Sequence, residues 1–201
     1  MPEHFNEAQR LAVEHTEGSL LILAGAGTGK TRVLTHRIAY LIENKVVEPR
    51  QVMAVTFARK AGLEMTTRLE TLLSHSSWVR EIRMGTFHSV SGYLLREGTK
   101  AAAKLELLSE PDQMKLIKEI LTQHSLSGPE WQPLEVVRKI SLAKGRLLSP
   151  DDLAQDNDSK LATVYRLYQH TLEKDHLLDF DDLISRLVLR WEAEPALLSR
   201  H

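Results

Sequence analysis

Hydrophobic and polar positions along the first half of the chain change period repeatedly. Three short runs, SLLILAG at 19–25, QVMAVTF at 51–57 and EIRMGTF at 81–87, have the length and apolar character of strands, the first reading as a buried one. Between them, TRVLTHRIAYLIEN places Val33, Ile38, Leu41 and Ile42 near one helical face, and Pro49 within a charged EPR stretch ends that helix. ARKAGLEMTTRLETLL returns to the helical period, and a further helix runs through Leu94 and Leu95 after the third strand. Strand and helix in alternation predict an α/β fold, a parallel sheet covered on its faces by helices.

After about Gly98 the strand pattern stops. Ser109 and Pro111 open a helix, SGPEWQP separates it from PLEVVRKISLAKG, and LATVYRLYQHTLEK predicts a longer one. The change of character predicts an α/β part at 1–96, a mostly helical lobe at 97–176 inserted into it or attached to it, and a return at 177–201. In that last stretch Ile184, Leu187, Val188 and Trp191 fall at helical spacing, with Asp179 as N-cap and Asp182 near the positive helix end. The acids of LLDFDDLI could alternatively mark the end of a strand. Only Leu177 and Leu178 precede them, however, too few for a central strand, so a capped helix is the expected form.

Composition narrows the function classes. The 201 residues are 42% hydrophobic and 26% charged, within the range of ordinary globular chains. Twenty-six basic residues against 27 acidic ones give a net charge of -1, so any nucleic-acid contact must be a local groove and not a global field. The absence of cysteine excludes disulfides, thiolate zinc sites and a cysteine nucleophile, and agrees with a reducing compartment. The longest apolar run, 20–24, is far short of the roughly 20 residues that cross a bilayer, and MPEHFNEAQR is no signal peptide. No membrane contact and a cytoplasmic location are expected.

The chemistry concentrates in AGAGTGKT, Ala24 to Thr31, which fits the phosphate-loop pattern except for Ala at its first position. Glycines at 25, 27 and 29 allow the backbone to curl so that its amides converge on phosphate oxygens, and the following helix directs its positive end at the same charge. Lys30 is expected to reach the terminal phosphates and Thr31 to offer its hydroxyl to Mg²⁺. The plainer alternative is a glycine-rich turn that binds nothing.

Four further stretches extend the pattern. FNEAQRLAV lies upstream of the loop; AVTFARKAGLEMTTRL, MGTFHS with LLR, and LLDFDDLI follow it. In this order and spacing the chain resembles the UvrD/Rep/PcrA-type superfamily 1 DNA helicases. The resemblance covers most of 5–96 and then 177–184, and implies a P-loop NTPase of RecA-like fold with a helical insertion, using ATP and Mg²⁺. It implies that Gln9 pairs with the adenine edge, that Ala24, Gly25, Ala26, Gly27, Thr28, Gly29, Lys30 and Thr31 cradle the phosphates, and that Arg32 lies beside the nucleotide. Phe57, Thr86 and His88 would face single-stranded DNA, with Lys60 as a further DNA-binding residue; Arg59, which departs from the family's pattern, is expected to add a phosphate contact in exchange for a lost polar one. Where the family usually has TFTNKAA this chain has TFARKAG, so Ala58-Arg59 replaces a small polar pair and Gly62 enters the helix at about 1 kcal/mol relative to Ala.

No DExxQ-type acidic motif occurs in the 201 residues, and the resemblance places it, with a second motor domain carrying arginines for the γ-phosphate, farther along the family's chains. The expectation is therefore the N-terminal portion of a 3′–5′ helicase of DNA replication or repair, which binds Mg·ATP and single-stranded DNA but does not unwind by itself, its remaining helicase domains being its partners. Two other readings stay open: a non-enzymatic module whose DNA or protein contacts are regulated by nucleotide, and a small phosphotransferase.

Overall fold

The computed structural model describes residues 5–25, 27–97, 105–155 and 159–198. Contacts within the chain divide it into two compact units, Met1–Val90 and Ser91–His201.

In the first unit, helices α1 (Glu7–Glu14) and α2 (Lys30–Glu43) precede strand β1 (Met53–Thr56). Helices α3 (Arg59–Leu72) and α4 (Ser76–Glu81), strand β2 (Arg83–Thr86) and the start of α5 (Phe87–Arg96) follow. β1 and β2 are parallel, with Met53 opposite Arg83 and Thr56 opposite Thr86. Ile38 and Ile42 of α2, Ala54 of β1, Met65 and Leu69 of α3, and Val79 and Ile82 share one core. Burying side chains such as Met65 and Leu69 contributes about 1.5–3 kcal/mol each. The Arg37 guanidinium of α2 donates to the carbonyls of Ala12 and His15, closing the C-terminal end of α1 where carbonyls lack helical partners.

The first predicted strand is a correction. Residues 19–25 form no strand among the described residues, and the run expected to be buried is exposed, Leu21 by 81% and Leu23 by 86%. A fully buried strand requires neighbours at both edges and cover on both faces. Among the described residues β1 pairs only with β2, no strand neighbours 19–25, and only one side of the run is partly covered, Leu20 being 40% and Ile22 38% exposed. Its pattern therefore records a suitability for burial that these residues do not fulfil.

In the second unit, α6 (Glu110–Gln123), α7 (Pro133–Gly145), α8 (Pro150–Gln155), α9 (Ser159–Lys174), α10 (Asp182–Ala193) and the short α11 (Pro195–Leu198) carry most of the residues. Ser109 caps α6 as expected, its hydroxyl accepting the Asp112 amide. Ile117 and Leu121, Val136 and Ile140, and Leu161, Val164, Tyr168 and Leu172 bring α6, α7 and α9 into a core separate from that of the first unit. Strands do not stop at Gly98: β3 (Glu106–Leu107) and β4 (Leu177–Leu178) form a two-residue parallel pair. Two residues carry too little periodicity to be seen in sequence.

The DFDD segment belongs to this second unit by its contacts. Lys144 of α7 donates to Asp179 at 2.6 Å and to Asp182 at 2.8 Å, and the Tyr168 hydroxyl donates to Asp179 at 2.8 Å. The N-cap of α10 is Asp181 and not Asp179 as expected, and its side chain caps nothing; Asp179, three residues before the helix, accepts the Asp182 amide at 2.8 Å. Leu183 and Leu187 form the buried stripe of α10, while Ile184, Val188 and Trp191 are half-buried, so the buried face is rotated about the helix axis from the expected one. Burial, reinforced by the Asp179 carboxylate, raises the Tyr168 hydroxyl well above the ordinary tyrosine range, and Tyr165 is raised mainly by burial as well. Among the described residues, no helix is long and apolar enough to cross a membrane.

Candidate nucleotide and nucleic-acid site

The glycine loop leads directly into α2. Gly27 and Gly29 have φ of 74° and 86°, the left-handed region that residues with a Cβ rarely adopt. Gly29 is the N-cap of α2 and offers no side chain to its amides, leaving them for an anion. Lys30 is the first helical residue, and its ammonium folds back onto the carbonyls of Ala24 at 2.9 Å and Gly25 at 2.5 Å. The Thr28 hydroxyl donates to Gly25 at 2.8 Å. Ala26 lies outside the described residues.

Gln9 reaches this loop from α1. Its Nε2 donates to the Thr28 carbonyl at 3.0 Å, and Gln9, Ile22, Ala24, Gly25, Thr28 and Lys30 line a cavity of about 370 Å³. A larger cavity of about 530 Å³, lined by Val13, Ala39, Tyr40 and Leu72 among others, contains none of the loop residues. The smaller one, which holds the loop residues, is the candidate phosphate site. Arg32 lies with its guanidinium 4.6 Å above the Phe5 ring, which meets His36 edge-on at 4.9 Å. The sequence reading missed Phe5 and Asn6; the capping pattern Asn6–Gln9, polar residues three apart at the start of a helix, was the available signal for the latter.

The site fits a Mg²⁺ delivered with a nucleotide. Thr31, the second residue of α2, is half-buried, and its hydroxyl makes no hydrogen bond among the described residues. Among those residues no cluster of three or more histidine or acidic side chains could hold a cation alone.

A second group sits at the carboxyl ends of β1 and β2, where parallel sheets present ligand-binding residues. Phe57 follows β1 and is 94% exposed, so it does not close the core. The register that opposes Thr56 to Thr86 brings Phe87, 41% exposed, to 5.2 Å from it, with the rings tilted by 47°. Sequence reading named Phe57 but missed Phe87, which the β1–β2 register makes its neighbour. Arg59 and Lys60 are exposed as the first two residues of α3, adding positive charge to a helix end that is already positive. That arrangement is unfavourable in isolation and favourable beside an anion. Thr86 is half-buried and caps α5, its hydroxyl accepting the Ser89 amide at 3.2 Å. His88, the second residue of α5, is half-buried and engaged within the chain. Gly62 of α3 packs toward Gly85 and Thr56; a Cβ there would lie 3.6 Å from both, an ordinary contact.

A mixed α/β unit with a glycine loop feeding a helix defines a broad class of phosphate-binding candidates. Comparison with known proteins narrows it: residues 5–201 match the family model of the UvrD/REP helicase N-terminal domain, and the chain belongs to that family. It is 39% identical over 203 residues to a protein of Staphylococcus epidermidis named ATP-dependent DNA helicase PcrA, covering 98% of this chain and 28% of that protein. The Staphylococcus aureus protein of the same name is 39% identical over 202 residues, 97% of this chain and 27% of its own length. The chain thus spans a little over a quarter of these relatives.

Proposed function

We propose that this chain is the ATP- and single-stranded-DNA-binding portion of an ATP-dependent 3′–5′ DNA helicase of replication or repair. The observation that carries the reading is the loop itself: left-handed Gly27 and Gly29, an uncapped start to α2, and Lys30 at the first helical position. Its ammonium bonds the carbonyls of Ala24 and Gly25, and a terminal phosphate would replace these two carbonyl oxygens by stronger, charged acceptors. Gln9, Ala24 to Thr31 and Arg32 bind nucleotide in this reading, with Thr31 giving one oxygen to Mg²⁺. Bound Mg·ATP supplies the phosphoryl chemistry, and the residues of this chain bind and orient it.

Phe57 with Phe87 stacks on bases, and Arg59 and Lys60 meet phosphates. Aromatic stacking accepts any base, so binding is tolerant of sequence. The organisation proposed is an ATP-binding part at 1–96, a helical insertion at 97–176 and a return at 177–201 into a RecA-like sheet. The 201 residues alone are proposed to bind without unwinding, because they hold one candidate Mg²⁺ donor and no DExxQ motif, and the acid that directly follows β4, Asp179, is paired with Lys144. Titration of Mg·ATP and of a labelled oligonucleotide into the chain, with Lys30→Ala as control, tests both binding claims. An unwinding assay on the same sample tests the third.

A further inference from the structure

The carboxamide of Gln9 is held from two sides. Its Oε1 accepts the Asn6 amide at 3.1 Å while the Asn6 Oδ1 accepts the Gln9 amide at 2.9 Å, the reciprocal box that starts α1. Its Nε2 donates to the Thr28 carbonyl at 3.0 Å. From there the chain of bonds continues through the Thr28 hydroxyl to Gly25, whose carbonyl also receives Lys30. One path of hydrogen bonds therefore joins the start of α1 to the lysine of the loop.

We propose that Gln9 is a positioning residue for the phosphate loop as well as a reader of the base, its orientation being set by Asn6. The inference rests on the nucleotide-site reading above and goes beyond it. A trans peptide points its C=O and the following N–H in opposite directions. By holding the Thr28 carbonyl, Gln9 fixes the plane of the Thr28–Gly29 peptide and with it the direction of the Gly29 amide, one of the donors proposed for phosphate. Gln9 spends only half its capacity on this. A carboxamide has two N–H donors and two lone pairs, so one of each remains after the bonds to Thr28 and Asn6. One donor and one acceptor are what the N7 and N6–H₂ edge of adenine requires. Base and triphosphate then share a single side chain.

The test uses inorganic tripolyphosphate with Mg²⁺, which has no base, beside Mg·ATP, both titrated calorimetrically into the chain. Gln9→Met keeps length and helix propensity but removes donor and acceptor. If Gln9 positions the loop, Gln9→Met weakens tripolyphosphate by about fivefold, the scale of one hydrogen bond, and ATP by more. Asn6→Ala weakens both ligands in the same direction, and Asn6→Asp, which restores the capping acceptor, recovers them. Unchanged tripolyphosphate affinity in Gln9→Met, with ATP weakened, overturns the positioning role and leaves base reading intact. Failure of the unaltered chain to bind either ligand removes the nucleotide site, and this inference with it. Circular dichroism melts identify a variant that fails by unfolding, and for such a variant Gln9→Leu, likewise uncharged and without donor or acceptor, gives the same tripolyphosphate readout with the same deciding outcomes.

Discussion

Lys144 and Asp179, 35 residues apart in sequence, meet at 2.6 Å with both side chains only 2% exposed. Asp182, equally buried, lies 2.8 Å from the same ammonium and also receives Arg186 at 3.4 Å, so two carboxylates face two cations. The Tyr168 hydroxyl bonds Asp179 and accepts from Gln113, extending the network to α9 and α6. The acids of the DFDD segment thus hold helices together.

Lys144→Met should be severely destabilising, because it leaves two carboxylates buried with less compensation. Breaking a buried pair this way typically costs about 3–5 kcal/mol. Urea unfolding of Lys144→Met, and of the triple variant with Asp179→Asn and Asp182→Asn, checks this. The triple variant is expected to recover part of the loss; equal stability of Lys144→Met and the unaltered chain would contradict the network's role.

The exposed run at 20–23 predicts the opposite behaviour. Leu21→Ser with Leu23→Ser removes apolar surface that already faces water, so the melting temperature should change little. An unpaired, strand-prone apolar stretch promotes association, so the double variant should stay monomeric to higher concentration in light scattering. A large fall in melting temperature would mean that these leucines are packed.

Phe57→Ala should leave stability unchanged, since the ring is exposed, and weaken single-stranded DNA by about 1–3 kcal/mol through lost stacking. Arg59→Ala should act differently, lowering the slope of log affinity against log salt by about 0.7, the contribution of one phosphate contact on a single strand. Fluorescence anisotropy at several salt concentrations separates the two effects.

Alkaline pH should destabilise the second unit. Tyr165 and Tyr168 are both raised, chiefly by burial, so the folded chain retains protons that the unfolded chain releases above about pH 10. Their contribution is fully present below that pH and declines as pH rises, with a limiting slope of about 1.4 kcal/mol per pH unit for each tyrosine. Tyrosinate absorbance should therefore appear for these two residues together with unfolding and not before it.

The sequence made much of the local structure legible. Helices α2, α3, α6, α7 and α9 follow from apolar spacing and from caps such as Ser109, and β1 and β2 from their short apolar runs. The turn of the loop was readable because left-handed backbone favours glycine, a local requirement met at Gly27 and Gly29. What depends on neighbours was not readable. Leu20–Leu23 has the composition of a central strand, but burial is a property of what surrounds a segment. Phe87 became a partner of Phe57 only through the β1–β2 register, and the two-residue β3–β4 pair has no period to detect. Nothing within α7 signals that Lys144 meets the acids that arrive from residues 179 and 182.

The central claim is that the loop from Ala24 to Thr31 grips a triphosphate. Calorimetric titration of Mg·ATP into the folded 201-residue chain and into Lys30→Ala tests it most directly. Saturable binding by the unaltered chain, weakened about 10- to 100-fold in Lys30→Ala at an unchanged melting temperature, is the predicted result. No saturable heat up to millimolar Mg·ATP, or equal affinity in the two proteins, would contradict it.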